Sequence, residues 1–309
     1  MSIQFLYCSE NIRNIRGENL SAPPLKRNLK ICVAIPASIV SDIPHQREKT
    51  LKVGLIGRAL AIFRIDEVVI YPDIIGADQS RDLRFVAMIL SYMETPQYLR
   101  KRLFKIVPEL RYAGILPPLR TPHHPIKNRK KYLRVGEFRE GIVLSKDKMG
   151  LLVDVGVEQP IRVANTSAPV GARVTVKIIS GGDDPRAVLA SPEDIDVYWG
   201  YKVEVSSMPF SRMVKSGNFD VTIATSRRGE PFMKVKDALL EKWMKSKRVL
   251  VAFGSPTQGL QEIVRQEGFE LSDIMDFIIN TVPGQATETV RTEEALYATL
   301  AILNLLTEA

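Results

Sequence analysis

Residues 280–296 read NTVPGQATETVRTEEAL, a polar segment broken by Pro283-Gly284 and set between Phe277-Ile278-Ile279 and the helix-like stretch YATLAILNLL. Two further loops carry similar punctuation. They are Thr225-Ser226-Arg227-Arg228-Gly229 and Gly254-Ser255-Pro256-Thr257-Gln258-Gly259, and each follows a β-branched run. Loops of this kind offer main-chain hydrogen bonds over an apolar floor, a chemistry suited to an adenosine-type ligand. In open α/β sheets ligands bind in the crevice outside the carboxyl ends of the strands. Any one of these loops reads equally well as ordinary strand-to-helix punctuation, because Gly and Pro interrupt every α/β chain. Three together favour a pocket. No G-x-G-x-x-G follows the first strand and no G-x-x-x-x-G-K-[ST] occurs anywhere, which disfavours a dinucleotide site or a P-loop.

The elements that would position these loops alternate in type. LKICVAIP (29–36) and EVVIYPD (67–73) read as buried strands. Between them, residues 47–66 place Leu51, Leu55, Ala59, Ile62 and Phe63 at helical spacing. Residues 80–94 read as a helix with Ser80 as N-cap. The pattern resumes with strands at 220–226, 248–256 and 273–283, and with helices at 234–247 and 257–268. A last helix is expected over 292–308, with Thr292 as N-cap and Glu293 and Glu294 in its favourably charged first turn. This βαβα order predicts a mostly parallel sheet flanked by helices. The middle differs. Residues 136–164, 172–179 and 186–191 are short strands between Gly, Asp and Pro turns, including a pair joined by Lys146-Asp147-Lys148, and suit a small OB- or S1-like barrel. An SH3-like barrel reads similarly.

At 309 residues and 45% hydrophobic content the chain can bury a sizeable core, and two domains are expected. No apolar stretch approaches the roughly 20 residues that span a bilayer. The segment MSIQFLYCSENIRNIRGENL, interrupted by Glu10, Arg13 and Arg16, lacks an apolar signal region, so a soluble, cytoplasmic protein is expected. Two cysteines, Cys8 and Cys32, allow neither a disulfide framework nor a cysteine-rich metal site, and His45, His123 and His124 are too scattered for a metal cluster. The net charge of +8 is concentrated: residues 100–134 hold 11 Lys/Arg against Glu109 alone. Such a strip is the footprint of a phosphate-backbone binder. A basic linker is the alternative, because charge alone specifies no ligand.

VAFGSPTQGL followed by FIINTVPGQATETVRTEEALYATL resembles motifs 2 and 3 of the SPOUT, or α/β-knot, RNA methyltransferases. The Arg291-Thr292-Glu293-Glu294-Ala295 run is similar to the R-T-E-T-A of the uridine-N3 methyltransferases of small-subunit ribosomal RNA. A branch found in archaea and eukaryotes is closer, sharing the pattern VAIPASIVSDIPHQREKTLKVGLIGRALAIFRIDEVVIYPD and a β-barrel inserted in the knotted domain. The resemblance covers nearly the whole chain and is weakest over 110–197. It implies a SPOUT domain in two parts, 1–112 and 198–309, around an OB-like barrel with a basic flank at 113–197. It implies a deep C-terminal trefoil knot, a rare exception to the no-knot rule. S-adenosylmethionine would bind bent in that knot, against Thr225, Ser226, Arg227, Phe253, Gly254, Ser255, Pro256, Gly259, Asn280, Thr281, Val282, Pro283, Gln285, Thr289 and Val290. Family members are homodimers whose site is completed across the two-fold axis. The implied substrate is RNA, with uridine N3 of ribosomal RNA as target.

Methyl transfer from a sulfonium needs alignment and a deprotonated nucleophile but no metal. Loss of the N3 proton spreads charge onto O2 and O4 of the uracil, which a guanidinium stabilises well. Under the resemblance Arg47 and Arg291 are the candidates, and Glu288 is the candidate proton acceptor. Arg291 reads equally as a structural ion pair at the last helix, and Arg58 as a surface charge. Lys101, Arg102, Arg111, Arg120, Lys127, Arg129, Lys130, Lys131 and Arg134 would contact phosphates, and Tyr112, Tyr132 or Phe138 would stack on an unpaired base. Residues 135–197 are acidic overall, which fits a spacer. Two other readings stand beside this one: an RNA-binding assembly factor that keeps the fold without turnover, and a nucleotide-cofactor enzyme on a conventional doubly wound sheet.

Overall fold

The computed structural model describes residues 23–164 and 166–306. The N-terminal segment with Cys8, and the last residues of the expected final helix, lie outside them. A six-stranded sheet forms the body. Its strands are β1 (Lys30–Pro36), β2 (Glu67–Tyr71), β8 (Lys202–Val205), β9 (Val221–Pro231), β10 (Arg248–Ala252) and β11 (Phe277–Asn280), in the order β11-β9-β10-β1-β2-β8. Every neighbouring pair is parallel. The run KICVAIP reads as apolar throughout because both faces of β1 are covered. Ile31, Val33 and Ile35 join the core under α1 (Gln46–Ile62), α2 (Ser80–Glu94), α5 (Phe232–Lys245) and α7 (Thr292–Leu305). Cys32 and Ala34 face α4 (Phe210–Ser216) and α6 (Leu260–Gln266) on the other side.

Between β2 and β8 the chain leaves the sheet through α2 and α3 (Gln97–Leu103) and builds a closed five-stranded barrel. Its strands are β3 (Phe138–Asp147), β4 (Gly150–Asp154), β5 (Ile161–Val163), β6 (Arg173–Ser180) and β7 (Arg186–Leu189), ordered β3-β4-β5-β7-β6 with β6 pairing back onto β3. Leu151, Val153, Ile161, Val163, Val176, Ile178 and Ala187 fill its interior. The chain then returns as β8 beside β2.

Several expectations are corrected. The buried face of α1 is Val53, Ile56, Ala59 and Leu60, whereas Leu51, Leu55 and Ile62 are exposed. Lys52 and Thr50 are buried in this helix while three of its aliphatic residues are exposed, so periodicity alone could not select the inward side. Ser80 does not cap α2. Its N–H donates to Asp78 at 2.9 Å, and Gln79 occupies the cap position. Thr292 is the first residue of α7 rather than its cap, and its hydroxyl donates to the Gly254 carbonyl at 3.3 Å. The cap is Arg291, whose N–H donates to Glu294 at 2.9 Å. The β3–β4 hairpin turns at Lys148-Met149, because Asp147 pairs across the ladder with Gly150. The strand expected over 273–283 is confined to Phe277–Asn280, while β9 runs on to Pro231. The short elements α3, α4 and β8 have no periodic signature in the sequence.

Candidate active site

Because β11, β9 and β10 are adjacent and parallel, their carboxyl ends open on one side of the sheet. Strand β9 is interrupted there. Ile278 pairs with Ala224 but Ile279 pairs with Glu230, so Thr225–Gly229 bulges out of the ladder. Gly229 permits the re-entry, because a Cβ at that position would lie 2.7 Å from the Ile278 carbonyl oxygen. On β10, Phe253 continues past the strand end with its N–H donating to the Ala34 carbonyl at 3.0 Å. The following turn closes on itself: the Ser255 N–H donates to the Gln258 carbonyl at 2.8 Å, and the Gln258 N–H to Ser255 Oγ at 2.9 Å.

The polar segment after β11 folds against the β9 bulge. Asn280 Nδ2 donates to the Arg227 carbonyl at 2.9 Å, and its Oδ1 accepts from the Val282 N–H at 2.9 Å. Arg227 Nη1 donates to the Glu288 carbonyl at 2.6 Å, and Gln285 Nε2 reaches the carbonyls of Thr287 and Glu288 at 2.9 and 3.2 Å. Thr281 and Thr299 exchange a hydroxyl hydrogen bond of 2.9 Å, fastening the segment to α7. The hydrogen-bonding capacity of this polar segment is therefore spent in part on the loop's own shape.

These three loops enclose a cavity of about 770 Å³, within the size range of cofactor pockets. Thr225, Ser226, Arg227, Phe253, Gly254, Pro256, Gly259, Asn280, Thr281, Val282, Gln285, Thr289 and Val290 all line it. Ser255 and Pro283 are not among the lining residues; Ser255 shapes the turn from behind. Glu288 lines the cavity and is exposed. Arg291 is exposed between the lining residues Val290 and Thr292, and is itself outside the lining. Arg47 lies exposed in the first turn of α1, also outside it. One chain thus brings the loop residues and Glu288 together and leaves Arg47 apart.

Sequence reasoning missed Arg228, Glu230, Gln258, Glu262 and Arg265 as lining residues. Gln258 was within reach, since it sits inside the Gly254–Gly259 loop. Arg265 was not, because nothing in α6 distinguishes it from a surface charge. The Gln258 Oε1 atom is buried without a hydrogen-bond partner. A buried acceptor left alone costs about 1–3 kcal/mol, and an N–H donor on a bound group would remove that cost.

The basic strip is laid out as α3 followed by three single 3-10 turns, at Pro108–Leu110, Ala113–Ile115 and Lys130–Tyr132. Lys101, Arg102, Arg111, Arg120, Lys127, Arg129, Lys131 and Arg134 are exposed, and Lys130 is half-buried. Two of them are tied to the barrel: Arg102 pairs with Asp154 at 2.8 Å, and Lys130 Nζ donates to Gln159 at 2.8 Å. Arg111 sits over Tyr112, and Lys131 over Tyr132. Phe138, on β3, carries Lys177 over its ring, and Trp199 packs edge-on at 6.1 Å. At the junction of barrel and sheet, Glu94 takes Arg173 at 2.6 Å and His123 at 3.3 Å. Burial opposes the Glu94 charge, but the hydrogen bonds from His123 and Arg173 outweigh it and hold the carboxyl at about 2. Burial, then His123, depresses neighbouring His124 to about 3.

Residues 30–303 match the model of a family described as "Putative RNA methyltransferase". The chain belongs to this RNA methyltransferase family. It is 32% identical over 318 residues to the 28S rRNA (uridine-N(3))-methyltransferase of Homo sapiens, covering 90% of this chain and 78% of that protein. The Drosophila melanogaster protein of the same name is 31% identical over 315 residues, covering 88% of this chain, and the chain spans 61% of its length. An uncharacterized protein of Halobacterium salinarum is 35% identical over 288 residues, covering 88% of this chain and 98% of that one. Among the described residues, no helix is long and apolar enough to cross a membrane.

Proposed function

We propose that the chain is an S-adenosylmethionine-dependent methyltransferase that modifies N3 of a uridine in ribosomal RNA. The observation that carries this reading is the cavity built by three adjacent strand-end loops, in a chain about one-third identical to proteins named for that reaction. The cavity fits the donor in size and chemistry. Its wall comes from the loops at three strand ends, and the orphaned Gln258 Oε1 is an acceptor suited to an exocyclic amine such as that of adenine. When bound, S-adenosylmethionine supplies a methyl group on a positively charged sulfur.

The chain's own residues do the rest. Thr225–Arg227, Phe253, Gly254, Pro256, Gly259, Asn280–Val282 and Gln285 hold and orient the donor and exclude water from it. Glu288 is held by its main chain, through Arg227 and Gln285, so its carboxylate extends free from a fixed anchor to accept the N3 proton. Arg291, three residues on in the chain, would stabilise charge developing on the uracil oxygens. In this reading the C-terminal segment would also pass through a knot, near where 225–230 meets 280–288 and Thr292 meets Gly254.

A second copy completes the site in this reading. Leu51, Leu55 and Ile62 on α1 are 45%, 38% and 49% exposed, and Leu305 on α7 is 66% exposed. The two helices are fastened together by Tyr297, whose hydroxyl donates to the Leu55 carbonyl, and by the Lys52–Glu293 pair. Exposed aliphatic residues on two helices that pack together suit a two-fold contact. Such a contact would carry Arg47 of one copy toward the cavity of the other. The basic strip would hold RNA outside the pocket.

The test is transfer of labelled methyl from S-adenosylmethionine to ribosomal RNA, with nucleoside mapping by mass spectrometry and Arg47→Ala alongside. The expected product is N3-methyluridine, much reduced with the variant. Tight cofactor and RNA binding without transfer to any cellular RNA would instead support a non-catalytic assembly factor.

A further inference from the structure

Three consecutive carbonyls at the end of β10 are each taken by a hydroxyl from a different part of the fold. Thr225 Oγ1, at the start of the β9 bulge, donates to the Ala252 carbonyl at 3.0 Å. Tyr71 Oη, at the end of β2, donates to the Phe253 carbonyl at 2.6 Å. Thr292 Oγ1, at the start of α7, donates to the Gly254 carbonyl at 3.3 Å. Phe253 and Gly254 line the cavity and open the loop that ends at Gly259.

Tyr71 has no other role in view. It is fully buried on the sheet face opposite α1, against Phe210 at a ring separation of 4.8 Å. Burial, reinforced by Asp73, pushes its phenol well above the usual range, so it stays a donor at every working pH. A phenylalanine would fill the same space. The hydroxyl's contribution is the bond to the Phe253 carbonyl, made from a strand two places away in the sheet. Thr292 differs in what it connects. It follows directly on Arg291, so its bond to Gly254 joins the cofactor-side loop to the substrate-side segment 288–291.

We propose that Tyr71, Thr225 and Thr292 are positioning residues that set the 252–254 segment in its ligand-binding shape before any ligand arrives. The proposal rests on the methyltransferase reading for the identity of the ligand. Its physical basis is preorganisation: a loop already held in the bound conformation loses less freedom when the ligand is captured. Tyr71 acts on the cofactor side alone, whereas Thr292 couples that side to the groups facing the base.

Tyr71→Phe, Thr292→Val and Thr292→Ser, compared with wild type, test this with two readouts. The first is amide hydrogen exchange of residues 253–259 in the unliganded protein, which needs no cofactor. Exchange there is expected to rise at least tenfold with Tyr71→Phe and Thr292→Val, with the centre of the sheet unchanged, and to stay near wild type with Thr292→Ser. The second is S-adenosylmethionine affinity by calorimetry together with turnover. Tyr71→Phe is expected to weaken cofactor binding and raise its KM about fivefold while kcat stays within twofold. Thr292→Val is expected to raise KM and also lower kcat, and Thr292→Ser to restore both. Unchanged loop exchange and affinity in Tyr71→Phe and Thr292→Val would overturn the clamp and leave the methyltransferase reading intact, since wild type would still bind the donor. A wild type that binds no S-adenosylmethionine would overturn that reading, and the clamp's purpose with it.

Discussion

Replacing Gly229 by alanine tests whether the β9 bulge forms the cofactor wall. The added Cβ would lie 2.7 Å from both the Ile278 oxygen and the Ile279 carbonyl carbon, and 2.9 Å from the Ile278 carbonyl carbon. These are main-chain atoms of the facing strand, so no side-chain rotation relieves the contact. Opening it to an ordinary 3.4 Å requires strand β11 or the bulge to move by about 0.7 Å, beyond the few tenths of an ångström over which such contacts soften. Strand β11 is the sheet edge and gives way first, carrying Asn280 and the 281–282 wall with it. Overpacking of this kind costs about 1–3 kcal/mol, or roughly 5- to 150-fold in affinity if it falls on the bound geometry. Calorimetric titration with S-adenosylmethionine reads the loss, and thermal melting reads the part that falls on stability. Gly254→Ala should cost less, since its nearest contacts, Gln258 O and Leu260 N, are at 3.0 Å. Gly114→Ala has nothing within 4 Å and serves as control. If Gly229→Ala binds the donor within twofold of wild type while remaining folded, the bulge is not the wall.

Three further perturbations probe other parts. Leu55→Asp places a charge in the α1–α7 apolar stripe; sedimentation velocity should show dimer converted to monomer, with methyl transfer lost in parallel, and an unchanged sedimentation coefficient would refute the stripe as interface. Removing Arg129, Lys131 and Arg134 together should weaken RNA binding uniformly across sequences and reduce the slope of log affinity against log salt by about 2 for single-stranded RNA; an unchanged slope would remove the strip from the interface. The barrel junction should weaken in acid. Glu94 is held below its ordinary 4.5, so its contribution is complete above that pH and is lost as pH falls toward about 2. His124 is buried neutral, so its contribution is complete above 6.5 and declines as pH falls toward about 3. Melting temperatures at pH 7.5 and 5.0 should therefore fall for wild type and fall less for His124→Gln. Equal slopes would dismiss His124.

What could be read from the sequence, and what could not, divides along physical lines. Strands β1, β2, β9 and β10 are covered on both sides, and such strands announce themselves as unbroken apolar runs. The barrel announced itself through regularly spaced turns. The inward face of α1 was hidden, because Lys52 and Thr50 are buried while Leu51, Leu55 and Ile62 are exposed, so polarity and burial run against each other along it. Helix α4 and strand β8 were missed because seven- and four-residue elements carry too few periods to register. The continuation of β9 to Pro231 was missed because a bulge looks like a loop in one dimension.

The site divides the same way. Thr225, Gly254 and Asn280 were visible because strand-end loops are local in sequence. Tyr71 was invisible. Its hydroxyl acts 182 positions away along the chain, and within EVVIY it reads as one more buried aromatic residue. Thr292 was visible for the wrong reason: a threonine ahead of a helical run suggests a cap, yet its hydroxyl turns to Gly254 while the Glu294 carboxylate takes the capping role. Arg47 is the opposite case. Its chemistry suits the reaction, but within one chain it does not line the cavity it would serve. The same helix exposes Leu51, Leu55 and Ile62. Under the proposed function a second copy against α1 would account for both, and assembly would then be a condition of activity rather than an addition to it.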